Sequence, residues 1–250
     1  MFKNQQQGLM FKDIASLLQK TFPDFKSTSE EQIPSSDILN HGFTHKNLND
    51  KNLRFSIQDE TLPFAELGYE ERIYLQGLIA TRKQNWHDFF NSMVWHKYPE
   101  TKKVINSIHY QEIQIQKSSL RSRKRDLLTL FDESGVIVVA GDKYLDMIRN
   151  HQWVELFIEN KKRWLDGTIR LFTFGHAMFE KYLSPYIGMT AQALLLSNFK
   201  SEIDVSLARD LENGKILNSK AELSPLPLLG IPRWHNNQDE DFYANKNYFR

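Results

Sequence analysis

The sequence predicts an α+β fold: a mostly antiparallel sheet containing a β-hairpin, covered by helices, with an extended C-terminal tail strapped over the body. Three observations carry this expectation. Leu127–Phe131 and Val136–Ala140 are apolar, partly β-branched runs separated by Asp132-Glu133-Ser134-Gly135, which is hairpin spacing with glycine late in the turn. Asn85–Tyr98 and Glu100–Ile115 repeat apolar residues at helical period on either side of Pro99. From Leu223 the chain reads LSPLPLLGIPRW, too rich in proline for regular structure but well supplied with apolar anchors at Leu226, Leu228, Leu229, Ile231 and Trp234.

The remaining elements follow in order. Leu9–Lys20 spaces Leu9, Met10, Ile14, Leu17 and Leu18 as a short amphipathic helix ended by Phe22-Pro23. Ser27–Asp50 turns to Ser, Asn, Glu and Gln and reads as loop with a short helix at Ser36–Asn40. Leu53, Phe55 and Ile57 alternate with Arg54 and Ser56 as a half-buried strand does, whereas Tyr69–Leu78 fits more than one element. Lys143–Arg149 and Trp153–Leu165 read as helices, the second closed by Asp166-Gly167. Thr168–Phe174 reads as a strand, His176–Leu183 as a helix, Ala191–Leu196 as strand or helix, and Ile203–Leu211 as a helix. The expected organisation is an N-terminal helix and loop-rich segment over 1–52 and one globular α+β domain over 53–250, because no Pro/Gly/Ser-rich linker divides the middle.

Composition narrows the chemistry. The 250 residues carry a formal net charge of +1, so global electrostatics offers no case for nucleic acid or membrane, and such a partner has to be found in local patches. There is no cysteine, which removes thiolate nucleophiles, disulfides and Cys-type zinc sites together. No apolar run approaches the length of a membrane span, and the first residues lack a secretory pattern; a cytoplasmic location without membrane contact is expected. The dinucleotide, P-loop, zincin and α/β-hydrolase motifs are absent.

Four segments stand out: NWHDFF (Asn85–Phe90), RDLLTLFDESG (Arg125–Gly135), FGHAMFEK (Phe174–Lys181) and PLPLLGIPRW (Pro225–Trp234). Together, and in this order from about Pro34 to the C-terminus, the chain resembles an uncharacterised bacterial family catalogued only as a domain of unknown function. The resemblance implies a cytoplasmic bacterial protein and brings no activity, cofactor or catalytic residue with it.

Candidate sites come from the residues themselves. On a helix over 85–98, Trp86, Phe89, Phe90, Met93 and Val94 share one sector and His87, Asp88, Asn91, Trp95 and Tyr98 the other. That second face suits a polar pocket with His87 as acid or base and Asn91 orienting it, or a packed face with its polar tips hydrogen-bonded. Phe174-Gly175-His176 puts His176 at a helix start, with Glu180 one turn on to hold its ring. His176 and Glu180 are too few to hold a metal without further ligands such as His87 and Asp88, and a structural His–Glu pair is the simpler reading. Lys117, Arg121, Arg123, Lys124 and Arg125 concentrate positive charge, which suits a phosphate clamp, an RNA-binding edge or a solvated loop. Asp132-Glu133 fits a turn or an acid–base pair.

The leading expectation is an enzyme using general acid–base chemistry on a small phosphate- or carboxylate-bearing substrate. His87 and His176 would act as acid or base, Asn91 and Glu180 as orienting groups, and Arg121, Arg123 and Arg125 as anion clamps. The alternatives are an RNA- or protein-binding module using segment 117–125, and a structural protein.

Overall fold

A computed structural model describes residues 35–115, 120–197 and 202–250. The helix expected at 9–20 and Lys117 lie outside the described residues. The chain divides into two compact units. The described part of the first comprises 130–197 and 219–250, and that of the second 35–129 and 202–218 apart from 116–119.

The second unit opens with α1 (Ser36–Asn40) and β1 (Arg54–Ile57), then α2 (Tyr69–Gln76), β2 (Leu78–Thr81), α3 (Trp86–Lys97) and α4 (Pro99–Ile115), and closes with α9 (Ile203–Glu212). The segment at 69–78 is thus a helix running into a strand. Strands β1 and β2 pair in parallel with Phe55 opposite Ile79. The Asn40 amide works as a third strand, donating to the Phe55 carbonyl at 2.9 Å and accepting from its N–H at 2.8 Å. Helix α3 starts at Asn85, whose side chain accepts from the Asp88 N–H at 3.0 Å, a standard N-cap. Helix α4 is capped from a distance: the Asp204 carboxylate on α9 accepts from Glu100 N–H and Thr101 N–H, each at 2.8 Å. Phe89, Phe90, Met93, Val94, Trp95 and Tyr98 are all buried, so α3 is enclosed on more than its apolar sector.

Helix α5 (Arg123–Ser134) runs from the second unit into the first, followed there by β3 (Gly135–Val139), α6 (Asp142–Arg149), a π-helical turn (Glu155–Glu159), α7 (Lys161–Leu165), β4 (Arg170–Thr173), α8 (His176–Leu183), β5 (Thr190–Leu196), β6 (Leu223–Pro227) and α10 (Glu240–Tyr243). The sheet order is β4-β3-β5-β6, with β3 parallel to β5 and antiparallel pairs at both edges. The fold is α+β, and the expectation of a mostly antiparallel sheet is met in part: two of the three pairs in this sheet are antiparallel, while β3–β5 here and β1–β2 in the other unit are parallel. Every residue of β3 is buried, as its unbroken apolar run requires of a central strand.

Two expectations are corrected. Leu127–Phe131 is not a hairpin strand: Leu127, Leu128 and Phe131 are the buried face of α5, and Asp132–Ser134 form its last turn. The antiparallel partner of Val136–Val139 is Arg170–Thr173 instead. A short apolar run followed by Asp-Glu-Ser-Gly satisfies both a strand and a helix end, and the i, i+1, i+4 spacing favours the helix. The tail, in turn, is partly regular, since Leu223–Pro227 pairs with β5. It is an edge strand, where the missing N–H groups of Pro225 and Pro227 are tolerated. Leu226, Leu228, Leu229 and Ile231 are buried as expected, and Trp234 is half-buried.

Candidate functional site

The residues singled out by sequence fall into separate surroundings. His87, half-buried, and Asn91 belong to the second unit; His176 and Glu180 belong to the first. The Asn91 amide donates to Tyr69 Oη at 2.9 Å and accepts from Lys102 Nζ at 3.0 Å. Lys102 is itself buried, with Nζ 5.2 Å from the centre of the Trp95 ring. One turn further along α4, Asn106 donates to the Glu70 carboxylate at 2.7 Å and to its carbonyl at 2.9 Å. Trp95 Nε1 and Asn106 Oδ1 are buried with no hydrogen-bond partner among the described residues. Asp88 is held by the Arg82 backbone N–H at 2.6 Å and by its guanidinium at 2.8 and 3.0 Å. Burial works against the Asp88 charge, but the Arg82 hydrogen bonds outweigh it and keep the carboxyl below its ordinary range.

The basic segment is only partly open. Arg121 donates to Thr129 Oγ1 at 3.2 Å and lies 3.9 Å from the Asp126 carboxylate, and Lys124 Nζ donates to the Leu217 carbonyl at 2.8 Å. Arg125 has its Nε buried, while Arg123 is exposed.

In the first unit, His176 meets an acid from a different segment. Its Nδ1 lies 3.6 Å from Asp132 Oδ2, and the imidazole is buried. Two glycines allow this approach. Gly175 N–H donates to the Gly135 carbonyl at 2.7 Å, and a Cβ on Gly175 would fall 2.5 Å from the Glu133 carbonyl oxygen. Phe131 and Phe174 stack beside it at 4.7 Å. Glu180 is exposed. Among the described residues no group of three or more His, Asp and Glu is placed to hold a metal ion.

The same unit contains a cleft of about 430 Å³, within the range of about 300–1,000 Å³ typical of small-molecule sites. Trp164 forms one part of its wall and Trp234 another, with Phe172 and Pro232 between apolar neighbours. Arg170 and Arg233 also line it, and no lining residue is acidic. Both tryptophans are fixed from behind. The Leu156 carbonyl, inside the π-helical turn, accepts from Trp164 Nε1 at 3.1 Å. Trp234 meets the Tyr182 ring edge-on at 5.8 Å, and Tyr182 Oη is hydrogen-bonded to Thr173 Oγ1 at 3.0 Å.

The turn that presents Arg233 is stapled by one side chain. Gln238 Nε2 donates to the Leu229 and Ile231 carbonyls, each at 2.7 Å, while its Oε1 accepts from the Arg233 N–H at 2.8 Å. Arg233 is held at φ 70°, a left-handed conformation that costs a non-glycine residue about 1 kcal/mol or more. Its guanidinium has no ion pair or hydrogen bond among the described residues, and the Arg170 guanidinium has only the Phe172 ring, 5.8 Å away.

None of the four cleft residues was singled out as a site by sequence. A lone arginine in a strand carries no signal. Trp164 and Trp234 read as apolar anchors, although the run Lys161-Lys162-Arg163-Trp164 and the ending Pro232-Arg233-Trp234 both put cation beside indole.

These features define an α+β protein with a cationic, tryptophan-walled cleft in one of its two units. The chain belongs to the family described as Protein of unknown function (DUF3025), which matches residues 53–250 and so includes every residue of the cleft. No curated protein and no solved structure matches the chain. No helix among the described residues is long and apolar enough to cross a membrane.

Proposed function

We propose that the protein binds a small anionic ligand carrying a planar ring, in the cleft between Trp164 and Trp234, in a bacterial cytoplasmic setting for which the family resemblance is the support. The observation that carries this reading is the pair of guanidiniums, Arg170 and Arg233, that line a cleft without a carboxylate and have no anionic partner among the described residues. Arginine presents a planar fork suited to phosphate or carboxylate, and its charge is best answered by an anion from outside. Indole faces held from behind offer stacking area with little entropy left to lose. Phenyl phosphate combines both features and serves as the probe. Saturable quenching of tryptophan fluorescence that disappears in Arg170→Ala and Arg233→Ala supports the reading; no saturation in the wild type refutes it.

Acid–base catalysis is the second reading, favoured by the His176–Asp132 pair. Asp132 Oδ2 lies 3.6 Å from Nδ1, beyond hydrogen-bond length, so the carboxylate would have to close in to orient the imidazole during a reaction. Asp132 then takes the orienting role first assigned to Glu180, while His87 with Asn91 stays a candidate of the other unit. Under this reading His176→Asn leaves phenyl phosphate binding intact and abolishes turnover of the bound anion; unchanged turnover removes His176. RNA binding through Arg121, Arg123 and Arg125 has less support, because Arg121 and Lys124 are engaged internally.

A further inference from the structure

We infer that the cleft is a station for single-stranded nucleic acid, taking one unpaired base between its tryptophans and neighbouring phosphates on its arginines. This deepens the reading of the cleft as a site for a ring-bearing anion and rests on it. Three observations extend that ligand from a small molecule to a strand.

First, the cationic surface continues past the cleft. Lys161 stands three and four positions before Trp164 and Leu165 on α7, which puts it on the helix face that lines the cleft. It is exposed and has no ion pair or hydrogen bond among the described residues. Lys162 is exposed beside it, and Arg163 lies 3.4 Å from Asp166. Arg170, Arg233 and Lys161 are therefore three cations without a carboxylate partner around two indoles. One phosphate monoester does not need three; a backbone with one charge per nucleotide does.

Second, the lining provides stacking and cationic donors but no side-chain acceptor for a base edge or a sugar hydroxyl. The arginines are the only charged side chains among the lining residues, and no Asp, Glu, Asn or Gln is present to accept from a nucleobase or a ribose hydroxyl. Stacking tolerates any base, since every base has a π-face, so such a lining suits sequence-independent binding. A dedicated mononucleotide site would need the missing edge contacts for selectivity.

Third, the exposure of Arg170 and Arg233 leaves the chain of a ligand free to enter and leave. With an overall charge of only +1, long-range steering is weak. Affinity then comes from these local contacts and responds to salt accordingly.

The test compares a labelled oligouridine of about ten nucleotides, within the site sizes of single-strand binders, with uridine monophosphate and phenyl phosphate on the full chain. Three released counterion contacts predict a log–log salt slope of about −2 for the oligomer, hence a loss of roughly tenfold to twentyfold between about 50 and 200 mM salt. The oligomer should bind about tenfold or more tightly than either monomer. Lys161→Ala should weaken the oligomer several-fold and flatten its slope while leaving phenyl phosphate binding unchanged. Oligomer binding no tighter than monomer binding, or unaffected by Lys161→Ala, overturns the nucleic-acid assignment while the small-anion site stands. Failure of all three probes overturns both. Circular dichroism of each variant checks folding, which these exposed side chains should not alter.

Discussion

Each unit contains a lysine or arginine beside a tryptophan, and they are used in opposite ways. In the second unit Lys102 is buried, held by Asn91, which also donates to Tyr69, and set over the Trp95 ring. In the first, Arg170 and Arg233 are exposed beside Trp164 and Trp234 and have no acidic partner among the described residues. A buried charge has to be answered inside the protein, because an unanswered one costs several kcal/mol, whereas an exposed one can wait for a ligand. The contrast separates charge that builds structure from charge that is left available on a rigid frame.

That contrast can be broken from either side. The largest effect belongs to the buried apolar sector of α3: Phe90→Ala should cost about 3–5 kcal/mol, measured as a shifted denaturant midpoint at unchanged m-value. Next is Asn91→Ala. It removes an acceptor from the buried Lys102 ammonium and a donor from the Tyr69 hydroxyl, so a loss of about 1–3 kcal/mol is expected. A neutral or stabilised Asn91→Ala would mean that Asn91 serves a ligand after all. Asp204→Ala should cost about 1–2 kcal/mol, since it strips the cap from α4 and leaves the Glu100 and Thr101 N–H groups without their acceptor.

The fold was largely legible where one period dominates. Asn85–Tyr98 reads as a helix from Phe89, Phe90, Met93 and Val94, and its boundaries are set by the Asn85 cap and Pro99. The alternation over Leu53–Ile57 marks the strand found at Arg54–Ile57, and the strand expected over Thr168–Phe174 is found at Arg170–Thr173. Leu127–Phe131 misled because Asp-Glu-Ser-Gly suits a hairpin turn as well as the end of a helix. The site was less legible, because contacts between distant segments leave no local pattern. His176 and Asp132 were each marked, but nothing in the sequence pairs them. Arg170 and Arg233 meet at one cleft only through the packing of β4 and the tail. Trp95 and Tyr98 fitted a pocket wall as well as a packed face, and both are buried, because helical phase gives direction and not what covers it.

Smaller effects sharpen the comparison further. Burial pushes both His96 and His45 below the ordinary imidazole value of 6.5, and the hydrogen bond from His96 to the Leu39 carbonyl only partly opposes this. The folded chain therefore binds fewer protons than the unfolded chain just below that value. Their contribution is intact above it and is lost as pH falls, so stability should decline on moving from neutral to about pH 5. His96→Gln should flatten that slope in denaturant midpoints taken across the range.

The smallest expected effect on stability is at the cleft, and there it coincides with the largest on binding. Arg170→Ala and Arg233→Ala should each leave the unfolding free energy within about 0.5 kcal/mol of the wild type, as befits exposed side chains without internal partners. The decisive measurement is a phenyl phosphate titration of the double variant against the wild type, followed by tryptophan fluorescence. The arrangement of the cleft predicts saturable quenching in the wild type and none in an equally stable double variant. Equal quenching in both, or a double variant that loses stability along with binding, would contradict the assignment of these arginines to a ligand.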